Sequence, residues 1–195
     1  NPDWAKKHSI ESVKDLVAYA KGHPNEVTYG SAGQGNLAHL TFATLGNEAG
    51  FKATHVPYKS GAQASTAVMA GEVSSAFDTL ASVPQIQAGK LKALAVTQKQ
   101  RATQVPDVPT MAEAGYPSID VTFWLGLLVP KGTPPAIVNT LAEEARRAMA
   151  EPAARKALSA QGSVVTLGPK DFAARISSES KQLAEIIKRE NITIE

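Results

Sequence analysis

Residues 27–40, VTYGSAGQGNLAHL, set a β-prone stretch, a glycine-rich turn and a helix-forming run in immediate succession. No other feature constrains the fold as much, because a strand that feeds a helix through a tight loop opens an alternating α/β unit. The alternation continues downstream. Residues 53–56 read as a strand, 61–70 as a helix, 73–77 as a strand, 82–88 as a helix and 91–97 as a strand. Strands and helices in that order predict a mainly parallel sheet covered on both faces. The helix after the glycine turn spans 36–49, with Leu37, Leu40 and Leu45 on its core face. Upstream, Val13, Leu16, Val17 and Ala20 recur at helical spacing; Ser12 serves as N-cap, Asp15 completes a capping box, and Gly22 with Pro24 closes the helix. Residues 1–8 read as a linker, before which a strand is expected, so the chain reads as processed or truncated.

Between 101 and 117 the prolines Pro106, Pro109 and Pro117 break any long helix, and 121–129 is the longest strand candidate. Phe123 and Trp124, in that strand, are expected to be core or hinge residues. Beyond Pro130 the text turns helical. Pro134-Pro135 opens a helix with an apolar face of Ile137, Val138, Leu141, Ala142, Ala145 and Met149. Pro152 opens a second that Gly162 ends, 171–188 makes a third, and 164–166 is a short strand candidate. Three amphipathic helices with almost no sheet of their own need a cover from elsewhere. Self-association through these helices is the expected result for the isolated chain.

Composition excludes several functions. The 195 residues carry a formal net charge of +2 with scattered basic residues, which argues against a nucleic-acid surface. Cysteine is absent, which rules out disulfides, thiolate nucleophiles and cysteine-ligated zinc. His8, His23, His39 and His55 show no metal-binding spacing. No apolar run reaches the length of a membrane span, and the first residues lack the order of a secretory signal.

The segment that carries chemistry is the turn Ser31, Ala32, Gly33, Gln34, Gly35 and Asn36. Backbone amides can converge in such a turn, and the following helix N-terminus adds partial positive charge, a geometry suited to an anion. The glycine spacing matches neither a dinucleotide fingerprint nor a Walker loop, so a carboxylate fits better than a polyphosphate. The alternative is a plain tight turn, with Asn36 merely capping its helix. Asp78, beside Thr79, falls where a strand ends, at the carboxyl edge where open α/β sheets collect ligands; the alternative is a cap for the next helix. His39 and Tyr58 are further cleft candidates, His39 also reading as a packed or helix-surface histidine. Ser31, His39 and Asp78 supply the residue types of a hydrolase triad, but the Gly-x-Ser-x-Gly elbow is absent and the order is wrong.

In order along the chain, NEVTYGSAGQGNLAHL, HVPYKSGAQASTAVMAGEV, FDTLASVPQIQAGKLKALAVT, VPDVPTMAEAGYP, FWLGLLVPKGTPPAIVNTLAEEARRAM and RKALSAQG resemble the Bug family, the TctC-like solute-binding components of tripartite tricarboxylate transport systems. The resemblance implies an α/β, type II periplasmic-binding-protein architecture of two lobes. The ligand between them would be a small organic acid, whether mono-, di- or tricarboxylate or amino acid. It implies no cofactor and no reaction, a periplasmic location, and transporter membrane components as partners. By the family layout, residues 1–121 form the second, ligand-gripping lobe, 122–130 a crossover strand, and 131–195 the helical part of the first lobe, whose N-terminal portion is missing. The loop 31–36 would then present amides to a ligand carboxylate, and Asp78 with Thr79 would discriminate among ligands. The chain departs from the family pattern at Asn36, where Ser or Thr is usual, at Ser60, at Ser74 and at Thr79.

Overall fold

The structure, a computed structural model, describes residues 1–159, 165–189 and 192. The chain divides into two compact units, residues 1–122 together with the described residues of 185–195, and residues 123–184.

The first unit is built on a three-stranded parallel sheet. Its strands are β1 (Thr28–Ser31), β2 (Thr54–Pro57) and β3 (Ser75–Ala76), in the order β2-β1-β3. β1 is central, with Tyr29 opposite His55 on one side and Ser75 on the other. The short β3 is prolonged by side chains: the Ser74 amide donates to Thr28 Oγ1, and the Thr28 amide to Ser74 Oγ, at 2.9 and 3.0 Å.

Helices α1 (Pro2–Lys7) and α2 (Val13–Gly22) precede the sheet. The expected linker at 1–8 is thus a helix instead. Asn1 Oδ1 accepts the Trp4 amide at 2.8 Å, Pro2 starts the first turn, Asp3 follows it, and Lys6 and Lys7 sit at the C-terminal end, which satisfies the orphan amide and the helix dipole together. In α2, Ser12 Oγ accepts the Asp15 amide at 3.2 Å, while the Asp15 carboxylate accepts the Glu11 amide at 3.1 Å, a capping box displaced by one residue. Helix α3 (Leu37–Ala49) connects β1 to β2, and α4 (Gly61–Ala70) connects β2 to β3. A 3-10 turn (Leu80–Ser82) and α5 (Val83–Gln87) follow.

The main core joins α2, β1 and α3 through Val13, Leu16, Val17, Ala20, Val27, Tyr29, Phe42 and Leu45, and is closed by Met111 and Ile119 from the proline-rich stretch. Ala67, Val68 and Val73 form a second cluster beneath α4, with Tyr58 packed against it. The strand expected at 91–97 does not form. Among the described residues, that segment makes one isolated parallel bridge, Val96 to Thr110, with its amides answered by a loop instead of a ladder.

The second unit holds α6 (Pro135–Ala150), α7 (Pro152–Ser159) and α8 (Pro169–Arg189) as far as residue 184, and these helices carry no buried residue in the described chain. Residues 121–129 are not a strand: no described segment offers them a ladder, and a β-prone run without a partner strand stays extended and open. Phe123 is accordingly 63% exposed and is no core residue. Trp124 packs edge-on against Phe172 at 4.9 Å, and its indole N–H donates to Glu179 at 2.6 Å. Of the short strand candidate at 164–166, Val165 and Thr166 form no strand and Val164 lies outside the described residues, as does the helix-ending Gly162.

Candidate functional site

Because all three strands are parallel, their carboxyl ends open on one edge. β1 lies between β2 and β3, so the chain leaves β1 toward one side and returns past it to the other. The crevice at such a reversal is where open α/β sheets hold ligands. Here it is flanked by the loop 32–36 after β1 and by Asp78 and Thr79 after β3.

The loop is held from below. Ser31 is 1% exposed; its hydroxyl lies 2.9 Å from the Gly33 carbonyl and 3.2 Å from the Gly33 amide, and 2.7 Å from His55 Nε2. The Gly35 amide donates to His39 Nδ1 at 3.1 Å, and the Asn36 amide to the Gly33 carbonyl at 3.2 Å. Gly33 and Gly35 adopt φ of +116° and +71°, backbone that L side chains resist. Asn36 caps α3, its Oδ1 accepting the Ala38 amide at 2.9 Å. The amides of residues 32–36 therefore do not all converge outward. Those of Gly33, Gly35 and Asn36 are consumed inside the loop, whereas among the described residues those of Ala32 and Gln34 meet no protein acceptor.

Beneath the loop, the imidazoles of His39 and His55 stack at 3.8 Å and 11°, and the Tyr29 ring stacks against His55 at 5.0 Å. Burial pushes the His39 imidazole below the ordinary histidine value, and burial followed by proximity to His39 drives His55 down to about 4. Both rings are neutral around pH 7.

Across the crevice, one Asp78 carboxylate oxygen accepts from the hydroxyls of both Ser65 and Ser82, and the other accepts the Thr79 amide at 2.8 Å. The cap of the following 3-10 turn is Thr79, whose hydroxyl accepts the Ala81 amide at 3.4 Å, so Asp78 is not the helix cap its position allowed. Three donors orient an exposed carboxylate at the sheet edge, with lone pairs left over for a ligand.

The remaining candidates stand behind the edge. His39 is 6% exposed and faces the underside of the loop. The Tyr58 ring packs on Gly30 and the second core cluster, and burial, then the Glu72 carboxylate, raise its phenol above the ordinary value. Glu72 follows the far end of α4, so the Tyr58 hydroxyl runs back along that helix and not into the crevice mouth. Sequence reasoning did not single out His55, Ser65 or Ser82. The first follows from the register that sets His55 beside Tyr29, the others from the helix phases of α4 and of the turn after Asp78. Among the described residues no group of three or more His, Cys, Asp or Glu could hold a metal.

A parallel α/β sheet whose loops gather at one edge defines the class, the fold of periplasmic binding proteins. Residues 5–192 match the family described as the tripartite tricarboxylate transporter family receptor, TctC, and the chain belongs to that family.

Among relatives, a UPF0065 protein of Cupriavidus necator is 38% identical over 149 residues, covering 76% of this chain and 45% of the relative. BugT of Bordetella pertussis is 30% identical over 184 residues, covering 93% of this chain and 56% of the relative. The chain thus spans about half the length of these curated relatives. Among solved structures, one described as a periplasmic transporter superposes with a TM-score of 0.85 at 34% identity, over 95% of this chain and 62% of that one. A protein of R. palustris with adipate gives 0.81 at 28% identity, over 93% and 62%. MatC of Rhodopseudomonas palustris with bound malate gives 0.73 at 28%, over 92% and 60%. The structural neighbours include periplasmic solute-binding proteins.

Proposed function

We propose that this chain acts as the carboxylate-gripping part of an extracytoplasmic solute-binding protein that captures a small organic acid for a tripartite tricarboxylate-type transporter, and that it catalyses no reaction. The observation that carries this reading is the pair of amides, Ala32 and Gln34, that meet no protein acceptor among the described residues at the crevice edge before α3, with the oriented Asp78 carboxylate on the other bank. One carboxylate of the ligand takes the amides and the positive end of α3. Asp78, with Thr79 beside it, accepts from a ligand hydroxyl or ammonium, or repels a surplus carboxylate. The adipate and malate of the neighbouring structures support an acid of about that size as the ligand. In this reading residues 1–121 are the second, gripping lobe, 122–130 the crossover and 131–195 a contribution to the first lobe, and the site of action is the periplasm.

Calorimetry of the intact natural protein with malate and adipate tests the reading. Gly33→Pro removes an amide that Ser31 uses and forbids the φ of +116°. With each amide-to-carboxylate bond worth about 1.5–3 kcal/mol, affinity should fall at least about tenfold. Unchanged binding in this variant would place the ligand elsewhere.

A further inference from the structure

Gly35 donates its amide to an imidazole nitrogen instead of to a carbonyl or to water. The acceptor, His39 Nδ1, lies four residues further on, within the first turn of α3, at 3.1 Å. Accepting an N–H requires a lone pair at Nδ1, so the hydrogen bond exists only with the neutral ring. The ring cannot swing away, because it is buried and stacked on His55, which in turn touches the Ser31 hydroxyl at the other end of the loop. Two stacked imidazoles therefore grip the loop at both ends, Ser31 through His55 and Gly35 through His39.

We infer that His39 is a positioning residue of the carboxylate loop, its neutral Nδ1 drawing the Gly35 amide inward so that the Ala32 and Gln34 amides face the ligand. The inference rests on the carboxylate reading of the loop. His39 does not touch the ligand; it acts through the backbone of Gly35.

An acid dependence follows. Protonating Nδ1 sets an N–H against the Gly35 N–H and a cation against His55, and the loop must leave its left-handed turn at Gly35. The titratable side chains stacked or tilted against His39 are His55 from β2 and Tyr29 from β1, and no carboxylate contributes to the shift of either imidazole. Nothing there compensates an imidazolium. The loop is thus intact above the ordinary histidine range and loosens as pH falls below the His39 value, which lies under 6.5.

The test uses the intact protein, malate as probe, and two substitutions. In His39→Asn, Oδ1 sits near the place of Nδ1 and accepts the Gly35 amide without titrating. In His39→Leu, bulk is kept and the acceptor is lost. The expected result is near-native affinity for the Asn variant with a flattened acid limb, and a loss of about tenfold for the Leu variant, as for one misdirected set of amides. Equal affinity and equal acid limbs in wild type and both variants would overturn the inference while leaving the carboxylate reading intact. If wild type binds no malate or other acid, that reading fails, and the inference is then judged by NMR of the wild type. There the Gly35 amide and the His39 Nδ1 resonances must titrate together, and independent titration overturns it. The same spectra decide the matter if the Leu variant does not fold.

Discussion

Replacing Gly30 by alanine puts a methyl group into space that α4 already occupies. The added Cβ would lie 3.1 Å from the Ala64 Cβ and 3.3 Å from Cε2 of Tyr58, closer than either carbon tolerates, so α4 or the ring must retreat by a few tenths of an ångström. Tyr58 has little freedom, since its ring fills the cluster of Ala67, Val68 and Val73. The helix therefore moves, and overpacking of this kind costs about 1–3 kcal/mol. At about 2–4 °C per kcal/mol for a chain of this size, Tm falls by roughly 2–12 °C. Ala64→Gly alone costs about 1 kcal/mol through helix propensity. In the double variant Gly30→Ala/Ala64→Gly the contact with the Ala64 methyl is relieved while that with Tyr58 stays, so the two penalties should fall short of adding: a coupling of about 0.5–2 kcal/mol is expected from denaturant melts of the four proteins. Because α4 also brings Ser65 to Asp78, Gly30→Ala should weaken ligand discrimination as well, and the second substitution should restore it. Additive stabilities, or a neutral Gly30→Ala, would show that α4 does not rest on β1 as described.

Asp78→Asn should reorder affinities between malate and adipate, as read by calorimetry, and lower Tm modestly in a thermal melt because a carboxamide cannot accept from both serines and the Thr79 amide; a drop in Tm with the ranking kept would make Asp78 a structural residue only. His55 adds a pH term to stability. Its folded value of about 4 lies below the unfolded 6.5, so the unfolded chain takes up protons first; stability is full above 6.5 and drains as pH falls toward 4. Denaturant melts should register about 1–2 kcal/mol over that window after allowance for solvent screening, and His55→Gln should lose most of the slope. The isolated chain should self-associate through Leu125, Leu127, Leu128 and Ile137, each more than half exposed; light scattering should show oligomers that Leu127→Lys with Leu128→Lys disperses, and a clean monomer at high concentration would refute this.

Local chemistry made much of this legible. Residues 61–70 read as a helix and fold as one because Ser60 caps its start and Gly71 takes the left-handed turn at its end. The place of the glycine loop and of Asp78 at one sheet edge was legible because parallel strands must end on one edge. What could not be read depends on partners remote in sequence. The segments 91–97 and 121–129 have strand composition, but a strand exists only beside another, and among the described residues neither finds a full ladder. The inward turn of the Gly35 amide, the His55 contact with Ser31, and the two serines on Asp78 likewise follow from register and helix phase, not from spacing.

The strand order β2-β1-β3 has a consequence for how such a protein diversifies. The loop proposed to receive a carboxylate hangs from β1 and is tied into the α3 side of the sheet, whereas Asp78 hangs from β3 and is tied to α4 and the turn after it. The two banks share no side-chain hydrogen bond among the described residues. On the proposed function, a substitution at 78 or 79 would be answered by Ser65 and Ser82 within the second bank, and the hydrogen bonds that hold the loop on the first would be inherited untouched.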